Sequence, residues 1–277
     1  MGLVEGLVGS LLSLAAPHGI HVDHDLAYGP GPRARLDVYR SPMTPPGAPM
    51  AVFIYGGSWQ SGDKSFYRFV GDILASRGIV TVIPDYRVYP AAVYPTFLRD
   101  NAQAVRFAID HAGSWGADPR RTYLIGHSAG AYDVAMLGVD PRWLGEVGLD
   151  PAKDIAGVVG LAGPYDFLPL SDKRLKIIFG RPSGRADTQP INHVTGVAPP
   201  MLLLAGSADK VVDPGNTTRL GKAIEARGGT ALAKIFPGVG HVGMLTALLK
   251  PFRGRALVLD EIVDFISQTP TQAKLAA

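Results

Sequence analysis

The stretch LIGHSAGAYD, residues 124–133, sets Ser128 between Gly126 and Gly130, with Tyr123, Leu124 and Ile125 before it and the helix-compatible run SAGAYDVAMLGV after it. A G-x-S-x-G pattern gains meaning when a strand precedes it and a helix follows. Apolar patterning supplies both here. Glycine has no Cβ, so the chain can reverse tightly from strand into helix and hold Ser128 at the apex, its hydroxyl above the sheet edge. The amides and dipole of the following helix N-terminus favour negative charge at that point. Read alone, the stretch also fits a serine that only caps a helix before a tight turn.

The surroundings repeat the strand-to-helix rhythm. MAVFIYGG is a short apolar run ending in glycines, FYRFVGDILASRG has helical periodicity and closes on Gly78, and IVTVIPDYR resumes a strand pattern. TFLRDNAQAVRFAIDHAGSWG reads as a helix, RTYLIG, IAGVVGLAG and PMLLLAG as strands, NTTRLGKAIEARGG as a helix, ALAKIFPG as a strand and GRALVLDEIVDFISQ as a closing helix. Such alternation predicts the α/β class, a mostly parallel, doubly wound sheet with helices on both faces. Residues 163–200 break the rhythm with prolines, charges and at most one short helix, the mark of a small cap segment over a pocket. No linker or internal repeat divides the chain, so residues 1–277 are expected to form a single domain with that cap-like insertion.

Composition narrows the function classes. The 277 residues are 47% apolar and 18% charged, and their 34 glycines and 23 prolines are spread along the chain, which fits a globular protein with many turns. A net charge of +3 without a run of five basic residues gives no reason to expect nucleic acid. The absence of cysteine excludes disulfides, thiolate metal sites and a cysteine nucleophile. The N-terminal MGLVEGLVGSLLSLAAPHG has no basic n-region, carries Glu5, and is too short to span a bilayer. It reads as an amphipathic helix packed on the domain or bordering its pocket, with no transmembrane segment and a cytoplasmic location expected. Gly6 stands where a myristoylation signal needs Ser or Thr.

A serine hydroxyl is a poor nucleophile at neutral pH, so Ser128 needs a histidine base and an acid that orients it, both later in the chain for this architecture. LLLAGSADKVVD places Asp209 just past an apolar strand, where a loop at the carboxyl end of the sheet points toward Ser128. Asp213 competes with it, although its position before Pro214 also suits the start of a helix at Asn216. His241 lies in the glycine-flanked loop FPGVGHVGM and completes the order Ser, Asp, His. The other histidines have simpler readings: His18, His21 and His24 in an N-terminal loop, His111 at a helix end, His127 structural or pocket-lining, and His193 in the interrupting segment. Amide donors for an oxyanion are expected from Gly57 and Ser58, after the first confident strand, and from Ala129 after the nucleophile. The same glycine pair also suits an ordinary turn before a buried Trp59.

With these residues in place, the sequence resembles the α/β-hydrolase fold carboxylesterases of the hormone-sensitive-lipase-like kind and their kin, the prenylcysteine methylesterases and kynurenine formamidases. Those families carry H-G-G-x-W after a strand, where this chain has Tyr55, Gly56, Gly57, Ser58 and Trp59. Asp85, Tyr86 and Arg87 are similar to their second signature and are expected to form a structural polar cluster near the pocket. Two departures bear on subfamily and substrate: Tyr55 replaces the usual histidine, and His127 precedes the nucleophile where many lipase-like members have Asp.

The resulting expectation is a cofactor-free, metal-independent serine hydrolase with the catalytic set Ser128, Asp209 and His241, acting through an acyl-enzyme on esters of small to medium apolar acyl groups. Trp59 and Tyr165 are expected to touch substrate, within a pocket bordered by the segment from Tyr165 to Phe179. Amidase, formamidase or peptidase activity with the same triad, and a non-catalytic binding protein on this fold, are the alternatives. The expected partner is a small-molecule ester, with a homodimer as an option.

Overall fold

The computed structural model describes residue 17 and residues 19–268. The expected N-terminal amphipathic helix lies outside the described residues. Among the described residues eight strands form one sheet: β1 (His21–Ala27), β2 (Arg35–Arg40), β3 (Ala48–Ile54), β4 (Val80–Pro84), β5 (Ala117–His127), β6 (Gly157–Leu161), β7 (Met201–Gly206) and β8 (Ala231–Phe236). Their spatial order is β1-β2-β4-β3-β5-β6-β7-β8. From β4 to β8 all neighbours are parallel, while β2 runs antiparallel to both β1 and β4.

The inner strands β4, β6 and β7 are buried at every residue, as expected for parallel strands covered on both faces. The outer strands β1 and β8 carry mixed, half-exposed patterns. The helices are α1 (Arg68–Ala75), α2 (Thr96–His111), α3 (Ala129–Val139), α4 (Pro141–Gly145), α5 (Pro151–Asp154), α6 (Lys173–Ile178), α7 (Gly215–Glu225), α8 (Gly243–Thr246) and α9 (Val258–Gln268). Among the described residues no helix is long and apolar enough to cross a membrane.

The chain steps from β3 outward to β4 and then back across β3 to β5. With right-handed crossovers the two steps place α1 and α2 on opposite faces, and the reversal opens a crevice beyond the carboxyl ends of β3 and β5. Both segments of the expected site, Gly56–Trp59 and Gly126–Gly130, begin at that crevice.

The hairpin of β1 and β2 corrects the reading of His21 and His24 as loop residues, since both lie on β1, while His18 lies outside the described residues. Alternation at Val22 and Leu26, and at Leu36 and Val38, is visible in the sequence, but charges and the Gly29–Pro32 turn interrupt it. Its anchor is tertiary. Lys64, almost buried, reaches Asp37 on β2 at 2.8 Å and Asp25 on β1 at 2.7 Å.

Residues 163–200 form α6 and two short 3-10 segments, Pro182–Thr188 and Pro190–His193. An aromatic cluster fastens this segment to the sheet layer. Phe179 packs edge-on against Trp59 at a centroid distance of 4.8 Å and against Tyr132 at 5.6 Å, and Phe167 meets Phe179 at 5.3 Å. Tyr132 also donates its hydroxyl to the Thr188 carbonyl at 2.7 Å.

At the joint between α3 and β3, a Cβ on Gly130 would lie 2.0 Å from the Ile54 carbonyl oxygen, with the clash falling on backbone. Gly130→Ala is therefore expected to destabilise the fold by about 3 kcal/mol, the upper range for overpacking a rigid site. Urea unfolding of the variant measures it.

Candidate active site

Ser128 follows β5 and stands at the N-cap position of α3 with φ 57° and ψ −120°. For a residue with a Cβ that conformation costs about 1–3 kcal/mol and persists only where its neighbours dictate it. Its amide donates to the Leu161 carbonyl at 2.8 Å, and its carbonyl accepts from the Tyr132 amide at 3.1 Å. The hydroxyl meets His241: Nε2 lies 2.9 Å from Ser128 Oγ. The opposite ring nitrogen, Nδ1, lies 2.7 Å from Asp209 Oδ2. Asp209 is held in turn, since its Oδ1 accepts from the amides of Val211 and Val212 at 2.8 and 2.9 Å. The Asp209 carboxylate is fully occluded from solvent, which strengthens its hold on the imidazole.

Asp213, the competing acid, does not reach His241. Its carboxylate accepts from the Gly215 amide at 2.9 Å and pairs with Arg219 at 3.1 Å, close to the start of α7. His127 is buried and stacks obliquely on His241, ring centroids 4.8 Å apart. Its Nε2 lies 3.2 Å from the His241 carbonyl oxygen, to which it donates as the Nε2–H tautomer. Burial, reinforced by the neighbouring His241, pushes the His127 imidazole down to about 3. It therefore stays neutral and steadies the loop that carries His241.

The Gly57–Trp59 turn has positive φ throughout, 126°, 54° and 56° at Gly57, Ser58 and Trp59, and is strained at the latter two. At Gly57 a Cβ would sit 2.1 Å from the Ser61 carbonyl oxygen, so only glycine fits. The Gly57 carbonyl accepts from the amides of Gln60 and Ser61 at 3.0 and 3.2 Å, which closes the turn on its far side. Ser58 and Ala129 line the same cavity as Ser128, while Gly57 lines an adjoining groove. As the first residue of α3, Ala129 has no carbonyl within the helix to receive its amide.

The sequence reading missed the residue behind this turn. Asp133, wholly buried on α3, accepts from the Trp59 indole Nε1 at 2.9 Å and from Asn101 Nδ2 at 3.0 Å. Burial raises its carboxyl well above the usual carboxylate range. The signal was an acid on an otherwise apolar helix, which has to find partners once buried. Tyr55 also has a defined place. Its hydroxyl donates to Asp85 Oδ1 at 2.6 Å and accepts from Arg33 Nη2 at 2.6 Å, while Tyr86 donates its hydroxyl to the Tyr55 carbonyl at 2.9 Å. Arg87 leaves this cluster for Asp100, 2.6 Å away.

A cavity of about 410 Å³ opens at Ser128. Trp59, Phe167, Leu170, Leu175 and Val212 form much of its wall, with a polar patch of Asp166, Asp213 and Arg219. Tyr165 is a correction to the expected substrate contacts. It is fully buried and absent from the cavity wall, its ring turned beneath Gly163 and Gly160, while Pro164, Asp166 and Phe167 face the space. A one-residue difference in an irregular segment reverses which side chains point outward. Phe179 likewise packs behind Trp59. Among the described residues no group of three or more His, Asp or Glu is arranged to hold a metal ion.

Comparison with known proteins gives four likenesses to this chain. A family profile described as BD-FAE matches residues 36–224. Isoprenylcysteine alpha-carbonyl methylesterase ICME of Arabidopsis thaliana is 28% identical over 88% of this chain and 62% of its own length. Esterase LipC of Mycobacterium tuberculosis is 29% identical over 77% of this chain and 58% of its own. The chain thus spans about three-fifths of the length of these curated relatives. Among solved structures, Esterase B from Lactobacillus rhamnosis superposes with a TM-score of 0.81 at 18% identity, covering 98% of this chain and 95% of that one, a likeness of fold. The sheet order and this superposition are those of the α/β-hydrolase fold.

Two outcomes follow from the buried polar groups. Asp133→Ala strips the Trp59 indole and the Asn101 amide of their acceptor and is expected to cost about 2–4 kcal/mol in denaturant unfolding. Between pH 6.5 and about 3 the unfolded chain binds a proton at His127 that the folded chain does not. Stability therefore falls as pH drops through that window, by up to about 1.4 kcal/mol per pH unit from this group. His127→Asn should flatten the slope in pH-dependent urea titrations.

Proposed function

The chain belongs to the BD-FAE family, and from that premise we propose that it is a carboxylesterase-type serine hydrolase, with residues 163–200 serving as the cap of a single domain. The observation that carries the reading is the continuous relay Asp209–His241–Ser128, two hydrogen bonds of 2.7 and 2.9 Å ending on a serine in a left-handed elbow. Ser128 Oγ attacks the ester carbonyl while His241 Nε2 takes its proton, and Asp209 holds the imidazole in the required tautomer and stabilises the imidazolium that forms. The tetrahedral oxyanion is received by the amides of Ser58, Gly57 and Ala129, each such donor contributing about 3 kcal/mol where it points at developing charge.

Collapse of that intermediate expels the alcohol, protonated by His241, and leaves an acyl group on Ser128 Oγ. Water activated by the same imidazole then attacks the acyl carbonyl, and collapse of the second tetrahedral intermediate releases the acid and restores the hydroxyl. The cavity of about 410 Å³, walled by Trp59, Phe167 and Leu175, suits a small to medium apolar acyl group. Relatives named as a methylesterase and an esterase favour ester over amide as the substrate bond.

Ser128→Ala tests this directly. Hydrolysis of 4-nitrophenyl butanoate should fall by at least about 10³-fold while the circular dichroism spectrum and melting stay near those of the parent. A fluorophosphonate probe should add to the parent chain and not to the variant, as read by intact mass. Near-normal turnover in the variant would remove the mechanism.

A further inference from the structure

The chain has a formal net charge of +3, yet residues 171–185 alone carry Lys173, Arg174, Lys176, Arg181 and Arg185 against the single Asp172. That segment is therefore +4 (5 − 1) and the rest of the chain −1 (3 − 4). The positive charge is concentrated on this part of the cap, beside the mouth of the cavity. None of the five cations has an ion-pair partner among the described residues, whereas the other cap-side charges are matched: Arg219 with Asp166 and Asp213, and Arg142 with Asp140 and Asp187.

Two of the five are placed for a ligand. A groove of about 890 Å³ runs between the Gly57–Ser61 turn and α6, lined by Gln60, Lys173 and Arg174 among others. It shares Ser58, Ser171, Leu175 and Val211 with the cavity that holds Ser128, so the two spaces adjoin along these residues. Gln60, from the strained turn, accepts from Arg174 Nη1 at 3.0 Å and so holds that guanidinium on the groove wall. Asp172, also on the wall, directs Oδ1 to the amides of Arg174 and Leu175 and so opposes the cations less than an outward carboxylate would. Of the remaining cations, Arg185 bonds the carbonyls of Gly180 and Lys176.

We propose that this groove is a subsite for an anionic group, a carboxylate or an ester of phosphoric or sulfuric acid, on the alcohol portion of the substrate. The reading rests on the hydrolase function proposed above. The acyl group occupies the apolar cavity at Ser128, and the alcohol portion extends past Ser58 into the groove, where Lys173 and Arg174 meet its charge. Arg174 supplies a planar pair of donors and Lys173 a mobile point charge. The unpaired cations further along the cap draw anionic esters to the mouth.

The test compares two esters of one acyl group, the butanoate of 4-hydroxybenzoate, which is anionic, and that of methyl 4-hydroxybenzoate, its neutral counterpart. Both are assayed by pH-stat with the full chain and with the double variant Lys173→Gln, Arg174→Gln. The ratio of kcat/KM for the anionic ester to that for the neutral one should fall about tenfold in the variant, and in the parent it should decline as salt rises from about 50 to about 500 mM. Arg174→Lys in a Lys173 background should keep most of the preference. An unmoved ratio while the parent hydrolyses the neutral ester overturns the subsite and leaves the hydrolase reading intact. A parent that hydrolyses neither ester overturns both. If the ratio is unmoved and the variant instead loses sedimentation with phosphatidylserine vesicles, the cap cations serve a lipid surface and the subsite is likewise overturned.

Discussion

Helix α3 lies against the end of β3 so closely that residue 130 can carry no side chain: a Cβ there would sit 2.0 Å from the Ile54 carbonyl oxygen. The rest of the site follows from that approach. It brings the loop after β3 beside the elbow after β5, where a Cβ on Gly56 would likewise lie 2.9 Å from the His127 carbonyl oxygen and 2.9 Å from Ser128 Cβ. Gly126 completes the joint, since a Cβ on it would lie 2.2 Å from the Gly130 carbonyl oxygen. Two turns that leave different strands thereby converge on one volume. Ser58 from one and Ser128 from the other line the same cavity.

Strain at this joint is balanced by polar contacts and packing behind it. Ser58, Trp59 and Ser128 all occupy left-handed backbone that residues with a Cβ rarely adopt. Asp133 explains how part of this is tolerated, because α3 carries both the serine at its start and, further along, the carboxyl group that accepts from the Trp59 indole. Ser128 and the Gly57–Trp59 turn are therefore referenced to one rigid helix. Around them, Phe97, Tyr132, Phe167 and Phe179 close on Trp59 in tilted, stacked and edge-on contacts that bind the cap to the same unit. Tyr55, buried with Asp85 and Arg33, stabilises the other side of the loop with short charge-assisted bonds. The departure from the histidine of related motifs is thus absorbed by a local network, away from the cavity wall.

Much of the architecture was legible because parallel strands buried on both faces leave continuous apolar runs, and their helices leave three-to-four spacing. VTVIP, GVVGL and MLLLAG are such runs, and they form β4, β6 and β7 apart from flanking residues. The β1–β2 hairpin escaped notice since its alternation is diluted by His21, Asp23, His24 and Asp25, whose partners include Arg40, Asp37 and Lys64 elsewhere in the chain. Tyr165 was misplaced for a related reason: in a segment without helical or strand period, nothing local says which side chain faces a cavity. Its place just past the apolar run of β7 favours Asp209 over Asp213, although either could follow that strand.

What the sequence determined by itself is the alternation of elements, the Gly-x-Ser-x-Gly turn between a strand and a helix, and the chain order of serine, acid and histidine, all of which are carried by short-range pattern. The excess of cations on residues 171–185 was equally present in the composition, though without a location in space it had no meaning. Only the tertiary structure decided which aspartate approaches the imidazole, that Asp133 lies behind Trp59, and that the cap cations border a groove adjoining the cavity at Ser128. Those outcomes depend on distances between residues far apart in the chain, set by how the crossovers pack the sheet, and hydrogen bonding falls away within a few tenths of an ångström in a way no spacing of letters records.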